Sequence, residues 1–262
     1  MGIAITQIDA FTDKPFAGNP AAVCLLQQSR PDDWMQLVAR EMNLSETSFL
    51  VRDADGFDLR WFTPTTEVDL CGHATLASAH LLWEEEHLLP GQTARFHTRS
   101  GSLEATKKGA WIEMDFPSTP ANPVAKIEIL ESALGATPTF TSQSKFDYLV
   151  ELSSEEQVRA LKPDFAALRQ LTVRGVIATS RTSHADYDFV SRFFAPSAGI
   201  DEDPVTGSAH CCLGPYWKVK LGRDNLTGYQ ASARGGYVRT RCAGDRVLLS
   251  GQAATVLRAQ LS

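Results

Sequence analysis

The residues best suited to chemistry lie in two short stretches. One reads Asp69-Leu70-Cys71-Gly72-His73-Ala74-Thr75, the other Asp203-Pro204-Val205-Thr206-Gly207-Ser208-Ala209-His210. Each is a polar loop that passes through a glycine into a helix opening on small residues. A helix N-terminus carries N–H groups without intrahelical partners and a partial positive charge, which suits an anion. Glycine lets a ligand approach the backbone closely. Gly72 and Gly207 therefore mark two positions for a small carboxylate, or simply two tight entry turns. His73 falls in a first helical turn, where the dipole disfavours imidazolium and predicts a neutral ring. Cys71 precedes the first glycine. A thiolate there would be activated, although a buried, inert cysteine is the commoner case. Asp203 is held extended by Pro204 and, with Asp201 and Glu202, forms an acidic cluster whose members would oppose one another's ionisation. Asp203 and Ser208 could cap the second helix or meet a ligand. Glu46 stands at the mouth of an apolar strand, and by sequence alone it reads most simply as a solvent-facing turn residue.

The elements that must position these residues show a half-chain repeat. Arg60-Trp61-Phe62-Thr63-Pro64 precedes the first stretch and Arg192-Phe193-Phe194-Ala195-Pro196 the second. The two arginines are 132 residues apart and the two glycines 135, in a chain of 262. This implies a duplicated unit of strand, Pro-containing turn, acidic loop, glycine and buried helix. Alternating or apolar runs predict strands at 2–10, 21–26, 47–51, 57–62, 95–99, 102–106, 110–116, 146–151, 172–178, 187–194, 228–234, 236–242, 245–250 and 253–258. Helices are expected from Pro31 to about Met42, from Gly72 to about His87, near 126–134, over 154–170 with a break at Pro163, and from Gly207. Gly214-Pro215 should kink or shorten that last helix, because proline removes a backbone donor. The three prolines of 117–126 make the best domain linker.

Composition narrows the function classes. The chain is 43% hydrophobic and 21% charged, with net charge −6 and no dense Lys/Arg patch. That argues against nucleic acid and anionic membrane as partners. No apolar run is long enough to span a bilayer. The start, Met1-Gly2-Ile3-Ala4-Ile5-Thr6, is unlike a secretory signal. The five cysteines lack CxxC spacing, which fits reduced thiols and a cytoplasmic location. No G-x-G-x-x-G after a strand, Walker A loop, H-E-x-x-H or G-x-S-x-G occurs, so nicotinamide, ATP, zinc and an α/β-hydrolase serine are unsupported. Few long helices and no run of βαβ units disfavour a Rossmann-type sheet.

Taken with Asp9-Ala10-Phe11, Gly18-Asn19-Pro20-Ala21-Ala22-Val23 and Asn43-Leu44-Ser45-Glu46-Thr47, these phrases resemble the PhzF-like isomerases of phenazine biosynthesis, in the family's order over nearly the whole chain. The resemblance implies an α+β, diaminopimelate-epimerase-like fold: two pseudo-symmetric lobes, each a curled, mostly antiparallel sheet around a central helix, with the active site between them. Residues 1–118 would form the N-terminal lobe, completed by a returning strand in 252–262, and 119–251 the C-terminal lobe. It also implies a cofactor-free, metal-free proton shift on a small carboxylate-bearing substrate, in class a cyclic hydroxy-amino acid such as dihydro-3-hydroxyanthranilate. By motif, Glu46 resembles the base, with His73 and Asp203 completing the catalytic set and Gly72, Gly207, Ser208 and Asn19 binding substrate. A homodimer is expected, since curled sheets leave strand edges to cover. Cys71 resembles the first thiol of proline racemases and diaminopimelate epimerases, but Thr206 stands where the second would be. That disfavours two-thiol racemisation. A Cys71-dependent racemase or a non-catalytic small-acid binder on the same fold are the alternatives.

Overall fold

Turn chemistry at Gly18 sets the first hairpin. Gly18 has φ 64, and a Cβ there would lie 2.1 Å from the Ala10 carbonyl oxygen, so only glycine fits between β1 (Ile3–Ala10) and β2 (Asn19–Leu26). The helix opened by Pro31 follows as α1 (Asp32–Met42) and stops at Asn43, which takes the left-handed conformation. Next come β3 (Glu46–Arg52), β4 (Phe57–Phe62), β5 (Glu67–Val68), α2 (Gly72–Glu84), β6 (Ala94–Thr98), β7 (Gly101–Lys108) and β8 (Trp111–Pro117). The chain continues through β9 (Asn122–Pro123), α3 (Glu128–Leu134), β10 (Phe140–Gln143), β11 (Asp147–Glu151), α4 (Glu155–Ala160), α5 (Phe165–Leu168), β12 (Gly175–Arg181) and β13 (Phe189–Phe194). It ends with α6 (Gly207–Leu221), β14 (Asn225–Gln230), β15 (Gly236–Ala243), β16 (Arg246–Gly251) and β17 (Ala253–Leu261). The computed structural model describes residues 2–262. Among them no helix is long and apolar enough to cross a membrane.

The chain divides into two units, one taking residues to Asp115 plus Ser250–Ser262, the other Phe116–Leu249. In the first, β17 pairs antiparallel with β1, β1 antiparallel with β2, β2 parallel with β3, and β3 antiparallel with β4. α2 packs on β1, β2 and β3 and buries residues from His73 to Trp83. α1 covers the other face, where Met35 and Ala39 join Phe49 and Phe62. In the second unit, β10 and β11 are antiparallel, β11 and β12 parallel, β12 and β13 antiparallel, β13 and β14 parallel, and β14 and β15 antiparallel. α6 packs with Leu149, Ile177, Phe189 and Phe193 on one face. Leu130, Val158 and Leu168 of α3, α4 and α5 join Val150, Val176 and Phe194 on the other.

The repeat extends to side chains. Arg60 grips Glu67 with two bonds of 2.7 Å, and Arg192 grips Glu202 with bonds of 2.7 and 2.8 Å. Each guanidinium also lies over the aromatic ring two residues on, 5.2 Å from Phe62 and 4.9 Å from Phe194. Each ion pair thus ties a strand to the segment that leads into its central helix.

Four expectations change. α2 ends at Glu84, about a turn early. Glu84, Glu85 and Glu86 crowd its negative end, Glu86 turns to φ 60, and the Leu88 N–H closes onto the Leu82 carbonyl at 2.9 Å. α6 is not shortened by Pro215 and runs for 15 residues. Proline leaves the carbonyl four residues back without its helical donor, and the Thr119 N–H supplies that donor to Cys211 at 3.1 Å. β12 and β14 lie about three residues from their expected positions, displaced towards the C- and N-terminus respectively. β10 was not anticipated, because Phe140-Thr141-Ser142-Gln143 has little apolar content.

Candidate active site

Strand alternation aims Glu46. Ser48 of β3 donates to the Ala74 carbonyl of α2 at 3.3 Å, and Glu46, two residues earlier, shares that face. Its carboxylate is therefore turned to the start of α2 rather than to solvent, with the side chain only 12% exposed. Glu46 Oε2 lies 3.1 Å from His73 Nε2. The contact is close but bent, since neither atom completes an aligned hydrogen bond with any described residue. On the other side of the ring, His73 Nδ1 is 3.5 Å from Cys71 Sγ.

These neighbours set the protonation states. Burial pushes the Cys71 thiol up to about 11, helped by the Glu46 charge. Burial works against the His73 imidazolium, yet Cys71 and Glu46 raise it well above its ordinary value. A thiol that is neutral near pH 7 leaves the Glu46 carboxylate as the charge responsible. The neutral ring expected from the helix dipole is thus corrected: a full charge at 3.1 Å in a buried setting outweighs about half a charge spread over a helix end. A carboxylate oxygen, the sulfur and a ring nitrogen here lie within 4.8 Å of one another, a donor set that a divalent ion could take only by displacing protons from Cys71 and His73. Asn19, at the start of β2, is fully buried, and Ser45 Oγ lies 3.5 Å from its Oδ1.

In the second unit the acidic cluster disperses. Asp201 pairs with Arg169 at 3.2 Å and Glu202 with Arg192, while Asp203 Oδ2 accepts from the Thr206 hydroxyl at 2.5 Å. Each carboxylate has its own partner. Thr206 occupies the N-cap position of α6 but makes no side-chain cap, because its hydroxyl is committed to Asp203. Gln230, fully buried, locks this arrangement. It accepts from the Thr206 N–H at 2.9 Å and donates to the Asp203 carbonyl at 2.7 Å. Ser208, the second residue of α6, does not cap the helix either, and accepts from Arg174 at 3.0 Å. His210, one turn in, is fully buried with Nδ1 2.8 Å from the Thr206 carbonyl, and burial pushes it down to about 4.

The signature of the phenazine biosynthesis-like proteins, PhzC-PhzF, matches residues 8–259. The chain belongs to that family. It is 54% identical, over all of its length and 99% of the relative's, to an uncharacterized isomerase of Halalkalibacterium halodurans. The crystal structure of a PhzF family protein from Enterococcus faecalis aligns over the whole of both chains with TM-score 0.95 and 40% identity. A hydroxyproline epimerase from Agrobacterium vitis, covering 99% of this chain and 92% of its own, aligns at TM-score 0.64 with 11% identity. That likeness is one of fold. The architecture is diaminopimelate-epimerase-like, with two pseudo-symmetric lobes that each wrap a sheet around a central helix.

In this PhzF-like chain, the first unit brings Glu46 to Cys71 and His73, which lie 25 and 27 residues further along the chain. The second gathers Asp203, Thr206 and Ser208 at the start of α6. Sequence reasoning missed Gln230, Arg174 and Asp147. Gln230 ends an ordinary strand and carries no motif. The Arg174–Asp147 pair spans 27 residues, and only the parallel pairing of β11 and β12 makes the two neighbours.

Proposed function

We propose that this chain is a cofactor-independent isomerase that shifts a proton on a small carboxylate-bearing substrate, in class a cyclic hydroxy-amino acid. Glu46 is the base that takes and returns the proton. His73, held as the charged partner of Glu46, orients that carboxylate and the substrate, and keeps its own proton while Glu46 moves the substrate's from one position to the other. Asp203 belongs to the catalytic set, with the backbone at Gly72 and Gly207, the Ser208 hydroxyl and Asn19 assigned to substrate binding. The observation that carries this is the buried approach of Glu46 to His73 at 3.1 Å. Membership of a family with a relative named an isomerase supports it. A base held in a water-poor site and close to its partner suits general acid–base work. Cys71 is the weaker nucleophile or base: its thiol is buried and pushed up to about 11, and Thr206 offers no second sulfur. The test begins with the small acid that co-purifies with the protein, identified by mass spectrometry. Turned over in deuterium oxide, it should acquire label at the migrating position with the wild type and not with Glu46→Gln. Label that persists in Glu46→Gln and vanishes in Cys71→Ala would replace this reading with a thiol-dependent epimerase.

A further inference from the structure

The duplicated strands allow the second unit to be read residue by residue against the first. Thr47 pairs with Phe62, and Val176 pairs with Phe194. The phenylalanines correspond in the repeat, so Thr47 corresponds to Val176 and Glu46 to Gly175. The parallel neighbours agree, with Ala21 opposite Glu46 and Asp147 opposite Gly175. Gly72 and Gly207 correspond as well, so His73 matches Ser208.

Where the first unit has its acid, the second cannot hold a side chain at all. A Cβ on Gly175 would lie 2.6 Å from the Phe193 ring and 2.7 Å from the Phe194 carbonyl oxygen. The residue before it takes over. Arg174 reaches the second residue of α6, Ser208, as Glu46 reaches the second residue of α2, His73. The guanidinium is tightly held. Two bonds of 2.9 and 2.5 Å run to the Asp147 carboxylate, which is almost wholly buried. The Phe146 and Phe193 rings lie 5.4 and 5.3 Å from its central carbon.

We propose that Arg174, anchored by Asp147, is the second unit's counterpart of Glu46 and a positioning residue that holds Ser208 as a hydrogen-bond donor to an anionic group of the substrate. Arginine has donors only, so the 3.0 Å bond from its Nη1 must occupy a lone pair of Ser208 Oγ. The hydroxyl proton is then free to be donated, and Ser208 donates to no described residue. Thr206 leaves the first turn of α6 without a side-chain cap, so the Gly207, Ser208 and Ala209 N–H groups also remain available. A guanidinium beside a helix N-terminus is unfavourable with nothing bound. Asp147 offsets it, and a carboxylate on Ser208 gives both positive features a partner. A neutral amide there would set its own N–H groups against donors. The inference rests on the assignment of Ser208 to substrate binding.

The test uses the full chain and sodium benzoate as a carboxylate probe, with benzamide as its neutral match, read by amide NMR. Benzoate should shift the Gly207, Ser208 and Ala209 resonances in the wild type, and benzamide should not. Arg174→Gln combined with Asp147→Asn, so that no buried carboxylate is stranded, should weaken benzoate at least tenfold. Ser208→Ala should do the same, and adding it to the paired variant should weaken binding no further, because Arg174 acts through Ser208. Arg174→Lys should keep part of the affinity. Equal response to benzoate and benzamide, additive losses, or no loss in the paired variant would overturn the proposal. Binding is read here without turnover, so it can fail while the Glu46 isotope experiment succeeds, and the reverse.

Discussion

Glu46 Oε2 sits 3.1 Å from His73 Nε2, with both side chains close to nine-tenths buried. The Glu46 carboxylate supports the charge on the His73 ring. Removing the acid should therefore do two separable things. Glu46→Gln should lower kcat by about 10²-fold or more, the usual scale of general acid–base catalysis, with KM little changed. It should also lower the His73 titration, because one of the two groups that raise it is gone while burial still works against the charged ring. An NMR titration of the histidine ring in wild type and variant reads this without substrate. An unmoved His73 would show that Glu46 is not its charge partner.

The thiols should be silent in the native protein. Burial pushes Cys24, Cys211 and Cys212 up to about 12, and Cys71 up to about 11. Thiolate, not thiol, is the nucleophile. Iodoacetamide at pH 7.5 should leave all four unlabelled in the folded protein, and label all five cysteines after unfolding, as counted by mass spectrometry. Activity should survive the native treatment. Rapid labelling of Cys71 with loss of turnover is the result that would restore a thiol mechanism.

The paired arginines should be structural and intolerant of lysine. Arg192 donates to Glu202 and to the Leu161 carbonyl at 2.7 Å, so it joins three parts of its unit. Glu202→Gln removes a charge-assisted pair and should cost about 2 kcal/mol. Arg192→Lys should cost a similar amount, since an ammonium cannot reproduce the two-bond grip. Urea unfolding of each variant measures this. A change within about 0.5 kcal/mol would mean the pair is surface decoration.

How much was legible in the sequence depends on the range of the interaction. The repeat of Arg60-Trp61-Phe62 and Arg192-Phe193-Phe194 was visible because its determinants are local. So were the glycine-led helices, whose small first residues and turns lie within a few positions. The Glu46–His73 contact needed β3 set on α2, which spacing alone does not specify, and only the family resemblance pointed to it. The state of His73 was misjudged because the dipole is local and the deciding carboxylate is 27 residues away. Pro215 misled for the same reason: its helix is completed by Thr119, 92 residues before the carbonyl it serves. Asp147 and Arg174 carry no motif, and only strand register makes them neighbours.

That Thr119 contact makes a stability prediction. Thr119→Pro deletes the N–H that satisfies the Cys211 carbonyl beneath Pro215. An unsatisfied buried carbonyl costs about 1–3 kcal/mol, so urea unfolding should report a loss of that order. Pro215→Ala in the same background returns a helical donor to Cys211 and should recover part of it. Additive effects of the two substitutions would mean that they do not share the carbonyl.

The two buried histidines should make opposite contributions to the pH dependence of stability. The folded His73 binds its proton more tightly than the ordinary value of 6.5. Its contribution is therefore full below about 6.5 and lost as pH rises through the raised folded value. His210 is pushed down by burial from 6.5 to about 4. As pH falls across that window the unfolded chain takes up the proton and the folded chain does not, so stability present above 6.5 drains away towards pH 4. The loss attached to His210 is up to about 3 kcal/mol. His210→Gln keeps a polar side chain and removes the titration. The variant should be less stable at pH 7, where it gives up a fitted ring bonded to the Thr206 carbonyl. Between pH 6.5 and 4, however, its stability should fall less steeply than that of the wild type. Urea midpoints taken at half-unit intervals of pH give the two slopes directly. Parallel curves would mean that His210 takes up its proton equally in the folded and unfolded chains, and that its burial next to Phe189 does not hold it neutral.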